Sequence, residues 1–114
     1  MTGTLRERVR RAVELHVAPA ARDADATRTF RRDVVEALAR EGFVGGPIPK
    51  EFGGGGLSNA EHVVVYEEVG KACVSTRGFL AVQVGLVAQC ILDWGSEAQK
   101  REWLPRLCSL DAIG

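Results

Sequence analysis

The hydrophobic residues of this chain recur at helical spacing on both sides of a glycine-rich segment. In the first example, Leu5, Val9, Val13 and Val17 place one apolar side chain on each helical turn. Pro19 predicts the end of this helix, and the polar, alanine-rich residues 18–27 predict a connection. The pattern therefore predicts a short amphipathic first helix that ends near residue 19.

The same spacing predicts a second helix over residues 29–41 and a third that begins at about Ser58. Residues 77–94 form the fourth helix and are apolar on every face, which is typical of a buried central helix. Gln83 and Gln89 are the polar residues inside this helix, and each needs a hydrogen-bond partner if it is buried.

Three helix starts carry a capping box, in which Ser or Thr is followed three residues later by Glu or Gln. These pairs precede the first, third and fifth helices and are Thr4 and Glu7, Ser58 and Glu61, and Ser96 and Gln99. Pro105 predicts a kink or a loosened turn within the fifth helix. The signals together predict an all-α fold, a five-helix up-and-down bundle formed by one domain over residues 1–114.

Residues 48–58, with the sequence IPKEFGGGGLS, separate the second helix from the third. They cannot be helical, because four consecutive glycines carry a large entropy cost and Pro49 lacks a backbone N–H. No Gly-Lys-Ser/Thr follows the glycines, and no strand precedes them, so the common phosphate-binding loops do not fit. The sequence favours a shaped connector here. The alternative is an anion site at the start of the third helix.

Charge and cysteine content narrow the classes of function. Fifteen basic residues balance fifteen acidic ones, so no net field recruits nucleic acid or an anionic membrane. The apolar residues 79–92 are interrupted at three positions and are predicted to be too short and too polar to span a bilayer. Three cysteines without a pairing pattern, and no leader sequence, predict free, buried thiols and a cytoplasmic location.

The titratable residues offer no complete active site. His16 and His62 lack the companions of a metal site and are predicted to lie at the surface or its boundary. Glu67 and Glu68 are adjacent, and a paired or solvated helix face is favoured over acid–base chemistry. Cys90 lies within the apolar helix, so packing is favoured over reactivity.

Four segments, taken in order, resemble the N-terminal helical domain of acyl-CoA dehydrogenases. They are residues 48–58, Glu67-Glu68-Val69-Gly70, Trp94-Gly-Ser-Glu-Ala-Gln-Lys100 and Trp103-Leu-Pro105. Their spacing also matches, and the resemblance covers about residues 5–114. It implies that the chain is the first domain of a larger flavoenzyme with a helical, a β and a second helical domain.

In that family, flavin adenine dinucleotide (FAD) lies between the β-domain and the C-terminal helical domain. A glutamate beyond the first domain removes the α-proton of an acyl thioester, and the hydride from the β-carbon passes to the flavin. The resemblance therefore implies an oxidoreductase whose catalytic base and FAD site both lie outside residues 1–114. It implies that this segment forms part of the substrate pocket.

The resemblance assigns the wall of the acyl pocket to the fourth helix. By position, the candidate substrate-binding residues are Gly78, Phe79, Val82, Gln83 and Leu86. Phe79 is bulky where relatives that act on medium-length chains carry small or polar residues, so a short or polar acyl group is expected. The alternative is that these side chains only fill the core of the bundle.

The resemblance leaves the thioester carrier open between coenzyme A and an acyl-carrier protein, the latter as in polyketide biosynthesis and other secondary metabolism. It implies a homodimer or homotetramer and leaves the electron acceptor unknown. Two alternative functions remain: a flavin monooxygenase-like member of the same fold, and a free-standing helical binding module.

Overall fold

A computed structural model describes residues 4–114, and its regular elements within that range are helices joined by turns. Helix α1 runs without interruption through Leu5–Ala12, Val13–Val17 and Ala18–Thr27. It is followed by α2 (Arg32–Arg40), a 3₁₀ turn (Lys50–Phe52), α3 (Asn59–Ala72), α4 (Val74–Trp94) and α5 (Glu97–Ser109). The predicted all-α, five-helix fold is confirmed.

Helix α1 does not end near Pro19, as predicted, but continues to Thr27. The reason is a widened π-helical turn over Val13–Val17, in which the N–H of Ala18 donates to the carbonyl of Val13. Pro19 thereby falls in the first turn of the next α-helical segment, where a missing N–H costs little. Arg28 caps the C-terminal end of this helix and adopts left-handed backbone angles with φ of 55°.

An ion-pair cluster around the buried carboxylate of Glu68 fastens α1 to α3. The carboxylate of Glu68 accepts hydrogen bonds from Arg6 at 2.7 Å, Arg10 at 3.0 Å and Lys71 at 3.3 Å. The hydrogen bond from Arg10, reinforced by those from Arg6 and Lys71, lowers the pKa of Glu68 to about 2 although burial opposes this. Glu67 pairs with Arg6 at 2.8 Å. The prediction of a paired acidic face is therefore confirmed.

The glycine-rich segment folds back on itself as a structured connector. The N–H groups of Gly55, Gly56 and Leu57 donate to the carbonyls of Gly45, Ile48 and Gly46 at 3.3, 2.9 and 2.9 Å. A Cβ atom at Gly54 would collide with the carbonyl of Ile48, so the fold requires glycine there. The side chain of Ser58 then caps α3, as predicted, by accepting from the N–H of Glu61.

His62 lies in the core and not at the surface, so that prediction is wrong. Its ring packs edge-on against Tyr66, with 4.3 Å between ring centroids, and against the backbone of Gly46. Among residues 4–114 neither buried ring nitrogen has a hydrogen-bond partner, and burial lowers the pKa of His62. The missing side chain at Gly46 provides the space for the ring. His16 is partly exposed, as predicted, and lies 3.0 Å from Glu41.

Candidate functional site

Helix α4 is long and largely apolar, with Arg77, Gln83, Gln89 and Asp93 among its polar residues. At 21 residues and a mean hydropathy of 1.3, it is long and apolar enough to cross a membrane by length and composition alone. The helix is longer than the apolar residues 79–92 suggested. The prediction that this stretch is too short and too polar to span a bilayer is therefore wrong on length and composition. Core helices of soluble proteins share these properties, and here α4 packs against α3 and α5.

Only one face of α4 is buried, so the prediction of burial on every face is wrong. Leu80, Val84 and Ala88 face the core. On the opposite side Val82 is 47% exposed and Leu86 is 65% exposed, because no described helix covers them. Cys90 is exposed as well, contrary to the prediction, whereas Cys108 is buried.

We call the exposed side of this helix the open face and define it by Gly78, Val82, Gly85 and Leu86. At Gly78 no atom of the described neighbouring residues lies within 4 Å of the position that a Cβ would take. That end of the open face is therefore clear. The middle of α4, Ala81–Ala88, is π-helical, and the N–H of Gln89 donates to the carbonyl of Val84. Such widened segments occur frequently at functional sites. The sequence gives no local signal for it.

Gln83 lies apart from the open face, although the sequence placed it in the same candidate set. Its side chain is 1% exposed, and its amide nitrogen donates to the carbonyls of Leu107 at 3.0 Å and Ala112 at 2.9 Å. Its amide oxygen accepts from the N–H of Gly114 at 3.0 Å. The predicted need for partners is met, and the side chain ties the C-terminal residues to α4.

Phe79 stands at the edge of the open face and pairs with a residue that sequence reasoning missed. Its ring centroid lies 5.1 Å from that of Phe30, which precedes α2 and is 54% exposed. The two rings are tilted by 43°, a geometry that favours aromatic contact. The sequence could not reveal this pair, because the residues lie far apart in the chain and on different elements.

The hydroxyl of Tyr66 lies close to Gly85 on the open face. A Cβ at Gly85 would lie 3.4 Å from this hydroxyl oxygen. Burial raises the pKa of Tyr66, and the charge of Arg77 partly opposes this shift. Among residues 4–114 no cluster of three or more His, Cys, Asp or Glu side chains could hold a metal ion. The four residues of the open face are valine, leucine and two glycines, so they carry no titratable side chain of their own.

This chain is similar in sequence to several known proteins. The family model for the acyl-CoA dehydrogenase N-terminal domain matches residues 2–111. The chain is 41% identical over 110 residues to (2S)-methylsuccinyl-CoA dehydrogenase of Cereibacter sphaeroides, covering 92% of this chain and 19% of that protein. It is 33% identical to the short-chain-specific acyl-CoA dehydrogenase of Clostridium acetobutylicum, covering 96% of this chain and 29% of that one.

The fold also matches a solved structure. The structure of this chain matches that of glutaryl-coenzyme A dehydrogenase in complex with glutaryl-CoA with a TM-score of 0.89 and 30% sequence identity. The match covers 100% of this chain and 31% of that chain. This chain therefore spans less than a third of the length of the proteins that it resembles.

Proposed function

Because this chain belongs to the acyl-CoA dehydrogenase family, as its N-terminal domain, we propose that it forms one wall of the acyl pocket in an FAD-dependent acyl-thioester dehydrogenase. The observation that carries the proposal is the open face of α4. A wholly apolar helix face of this kind marks a surface that another molecule or domain covers. Here the cover would be the acyl group together with the remainder of the enzyme.

The open face contributes binding energy and no chemistry. Val82 and Leu86 are about half and two-thirds exposed, so covering both side chains would stabilise the complex by about 2 kcal/mol. Gly78 leaves room for the substrate beside them. Gln83 would act behind the wall, by fixing α4 to the C-terminal residues through its three hydrogen bonds.

A short or polar acyl group fits this wall best. Phe79 and its partner Phe30 occupy the space at one end of the open face. The relatives named for methylsuccinyl-CoA, short-chain acyl-CoA and glutaryl-CoA support a short chain, and their names favour coenzyme A as the carrier. An acyl-carrier protein remains the alternative carrier. For the assembly, we propose a cytoplasmic homodimer or homotetramer.

The residues of the open face do not fit the cofactor or the base. The open face consists of apolar side chains and glycines, and it offers no set of donors for a dinucleotide. We place the FAD site and the catalytic glutamate beyond these residues. FAD, when bound, supplies the hydride acceptor for the oxidation, while this domain orients the acyl chain and excludes water from it.

The test is to purify the longest polypeptide that carries this domain and to add butyryl-CoA without oxygen. We expect a yellow protein whose flavin absorbance bleaches on addition of the thioester. A colourless protein that cannot be reconstituted with FAD would refute the proposal. Oxygen consumption that requires a separate two-electron donor and places an oxygen atom in the product would indicate the monooxygenase-like alternative.

A matched pair of variants tests the role of the open face itself. Leu86→Asp should retain FAD but raise the KM for butyryl-CoA, because a carboxylate would replace an apolar contact. Leu15→Asp is the control, since Leu15 is 67% exposed and lies on α1. Equal effects of the two substitutions on KM would exclude a substrate contact at Leu86.

A further inference from the structure

His62 is a buried titratable residue that the proposed function does not use. Its side chain is 6% exposed, and the described part of the chain offers no hydrogen-bond partner to either ring nitrogen. Its ring packs edge-on against Tyr66, which lies about one helical turn further along α3. A buried polar group without a partner destabilises a fold, so the ring stays in place through its packing.

The connector, which residues 45–57 form, closes over this ring at Gly46. A Cβ atom at Gly46 would collide with Nδ1 and Cε1 of His62. The carbonyl of Gly46 accepts from the N–H of Leu57 at 2.9 Å, and that of Gly45 accepts from the N–H of Ile48 at 2.9 Å. The residue that the ring touches therefore lies inside the hydrogen-bonded fold of the connector.

A protonated ring has no counterpart in this arrangement. Protonation makes both ring nitrogens donors and adds a positive charge, whereas residues 4–114 provide no acceptor for either nitrogen. The charged residues on the surrounding elements include Arg6, Arg10 and Glu14 on α1, Lys50 and Glu51 in the connector, Glu61 on α3 and Arg77 on α4. No charged side chain of the described residues shifts the pKa of His62, which burial lowers.

We propose that His62 is an acid-sensitive latch, which holds the connector closed while its ring is neutral and releases the connector when the ring takes up a proton. Release would expose Val44 and Ile48, which are fully buried, and would loosen the link between α2 and α3. The ion-pair cluster around Glu68 continues to fasten α1 to α3 at mildly acidic pH, because the pKa of that carboxyl is about 2. The opening is therefore local, and the proposal does not depend on the proposed function.

The direction of the pH dependence follows from burial. In the closed connector burial lowers the pKa of His62 below 6.5, and in the opened connector the exposed ring returns to a pKa of about 6.5. Opening therefore takes up a proton. Above pH 6.5 the closed form keeps its full advantage. Below that pH, opening becomes favoured by up to about tenfold for each pH unit, until the closed form also binds the proton.

Hydrogen exchange of the ¹⁵N-labelled chain at pH 7.5 and pH 5.5 measures this opening. Each exchange rate is divided by the rate of an unstructured peptide of the same sequence at the same pH. In the native chain the protection of the amides of Gly56 and Leu57 should fall about five- to tenfold between the two pH values. The fall should change little at low urea concentrations, because a local opening exposes little surface.

Two variants and a control assign the effect to the ring. His62→Phe keeps an aromatic ring that cannot titrate, so the protection of the connector amides should change less than twofold. His62→Leu takes its place if the phenylalanine variant fails to fold. The control is His16→Asn, which removes the other histidine of the chain and should respond to pH as the native chain does.

An equal fall in protection in the native chain and in the His62 variants would overturn the latch. Exchange of Gly56 and Leu57 that follows the urea dependence of global unfolding would also overturn it, since the connector would then not open separately. An NMR titration of the ring needs no variant. A His62 ring that titrates at pH 6.5 or above in the folded chain would contradict the latch, whereas titration below pH 6.5 supports it.

Discussion

Replacement of Gln83 by methionine should destabilise the domain, because three backbone groups lose their hydrogen-bond partner together. The side chain is almost completely buried, and methionine is similar in length and shape. The substitution therefore removes the amide without leaving a large cavity. The groups affected are the carbonyls of Leu107 and Ala112 and the N–H of Gly114.

The magnitude depends on which of these groups can find water. Gly114 is exposed and can be hydrated, so its lost bond costs little. Leu107 is buried and Ala112 partly so, and a buried group without its partner costs about 1–3 kcal/mol. We expect the free energy of unfolding to fall by about 2–3 kcal/mol in total, which lowers the Tm by roughly 10–20 °C for a domain of this size.

Thermal and urea unfolding, followed by circular dichroism at 222 nm, measures this loss. The control is Gln89→Met on the same helix, since the amide of Gln89 donates to the exposed carboxylate of Asp93 at 3.0 Å and not to a buried backbone group of the described residues. That control should lose less than about 0.5 kcal/mol. If the two variants unfold at the same urea concentration, the role of Gln83 as a tie between α4 and the C-terminal residues is refuted.

Three further predictions concern the ion-pair cluster, the connector and the start of α3. The fold lowers the pKa of Glu68 from 4.5 to about 2, so the stabilisation by its carboxylate is present above pH 4.5 and is lost as the pH falls towards 2. In urea unfolding, Glu68→Gln should therefore lose less stability than the native chain across that pH range. An equal loss in both proteins would contradict this. Gly46→Ala should lower the free energy of unfolding by about 1–3 kcal/mol, because the added methyl group collides with the ring of His62. The control Gly78→Ala has open space for its methyl group and should raise the free energy of unfolding by about 0.5–1 kcal/mol. The opposite order would refute the close packing of His62 against Gly46. Ser58→Ala should cost about 1 kcal/mol in the same assay, and no loss would show that the cap is dispensable.

Local signals in the sequence were sufficient for the helix starts. Ser58 and Glu61 exchange hydrogen bonds of 2.9 and 3.1 Å, as their spacing predicts. The capping boxes at Thr4 and Ser96 form in the same way. Each cap depends on residues within one turn, so tertiary packing does not alter it. The all-α fold could therefore be predicted.

Features that depend on distant residues could not be predicted. The burial of His62 requires a glycine at position 46, on a separate segment of the chain. Helix α1 continues past Pro19 because a π-helical turn, which has no sequence signature, precedes it. The contact between Phe30 and Phe79 depends on how α1, α2 and α4 pack.

The candidate site shows the same division. The apolar pattern of α4 predicts burial on every face, which is wrong for the described residues, because the pattern cannot tell which face this chain covers. Packing against α3 and α5 buries Leu80 and Val84 and leaves Val82 and Leu86 exposed. For Gln83 the sequence predicts the need for partners, whereas their identity depends on the position of the C-terminal residues.

The most direct test of the open face as an acyl-binding wall is photo-crosslinking. A short acyl-CoA with a diazirine on its acyl end is irradiated with this chain, and the labelled residues are identified by mass spectrometry. We predict that labels concentrate on α4 at Val82 and Leu86 and disappear when butyryl-CoA is added in excess. Labels confined to the other helices, or labels that butyryl-CoA does not reduce, would contradict the account.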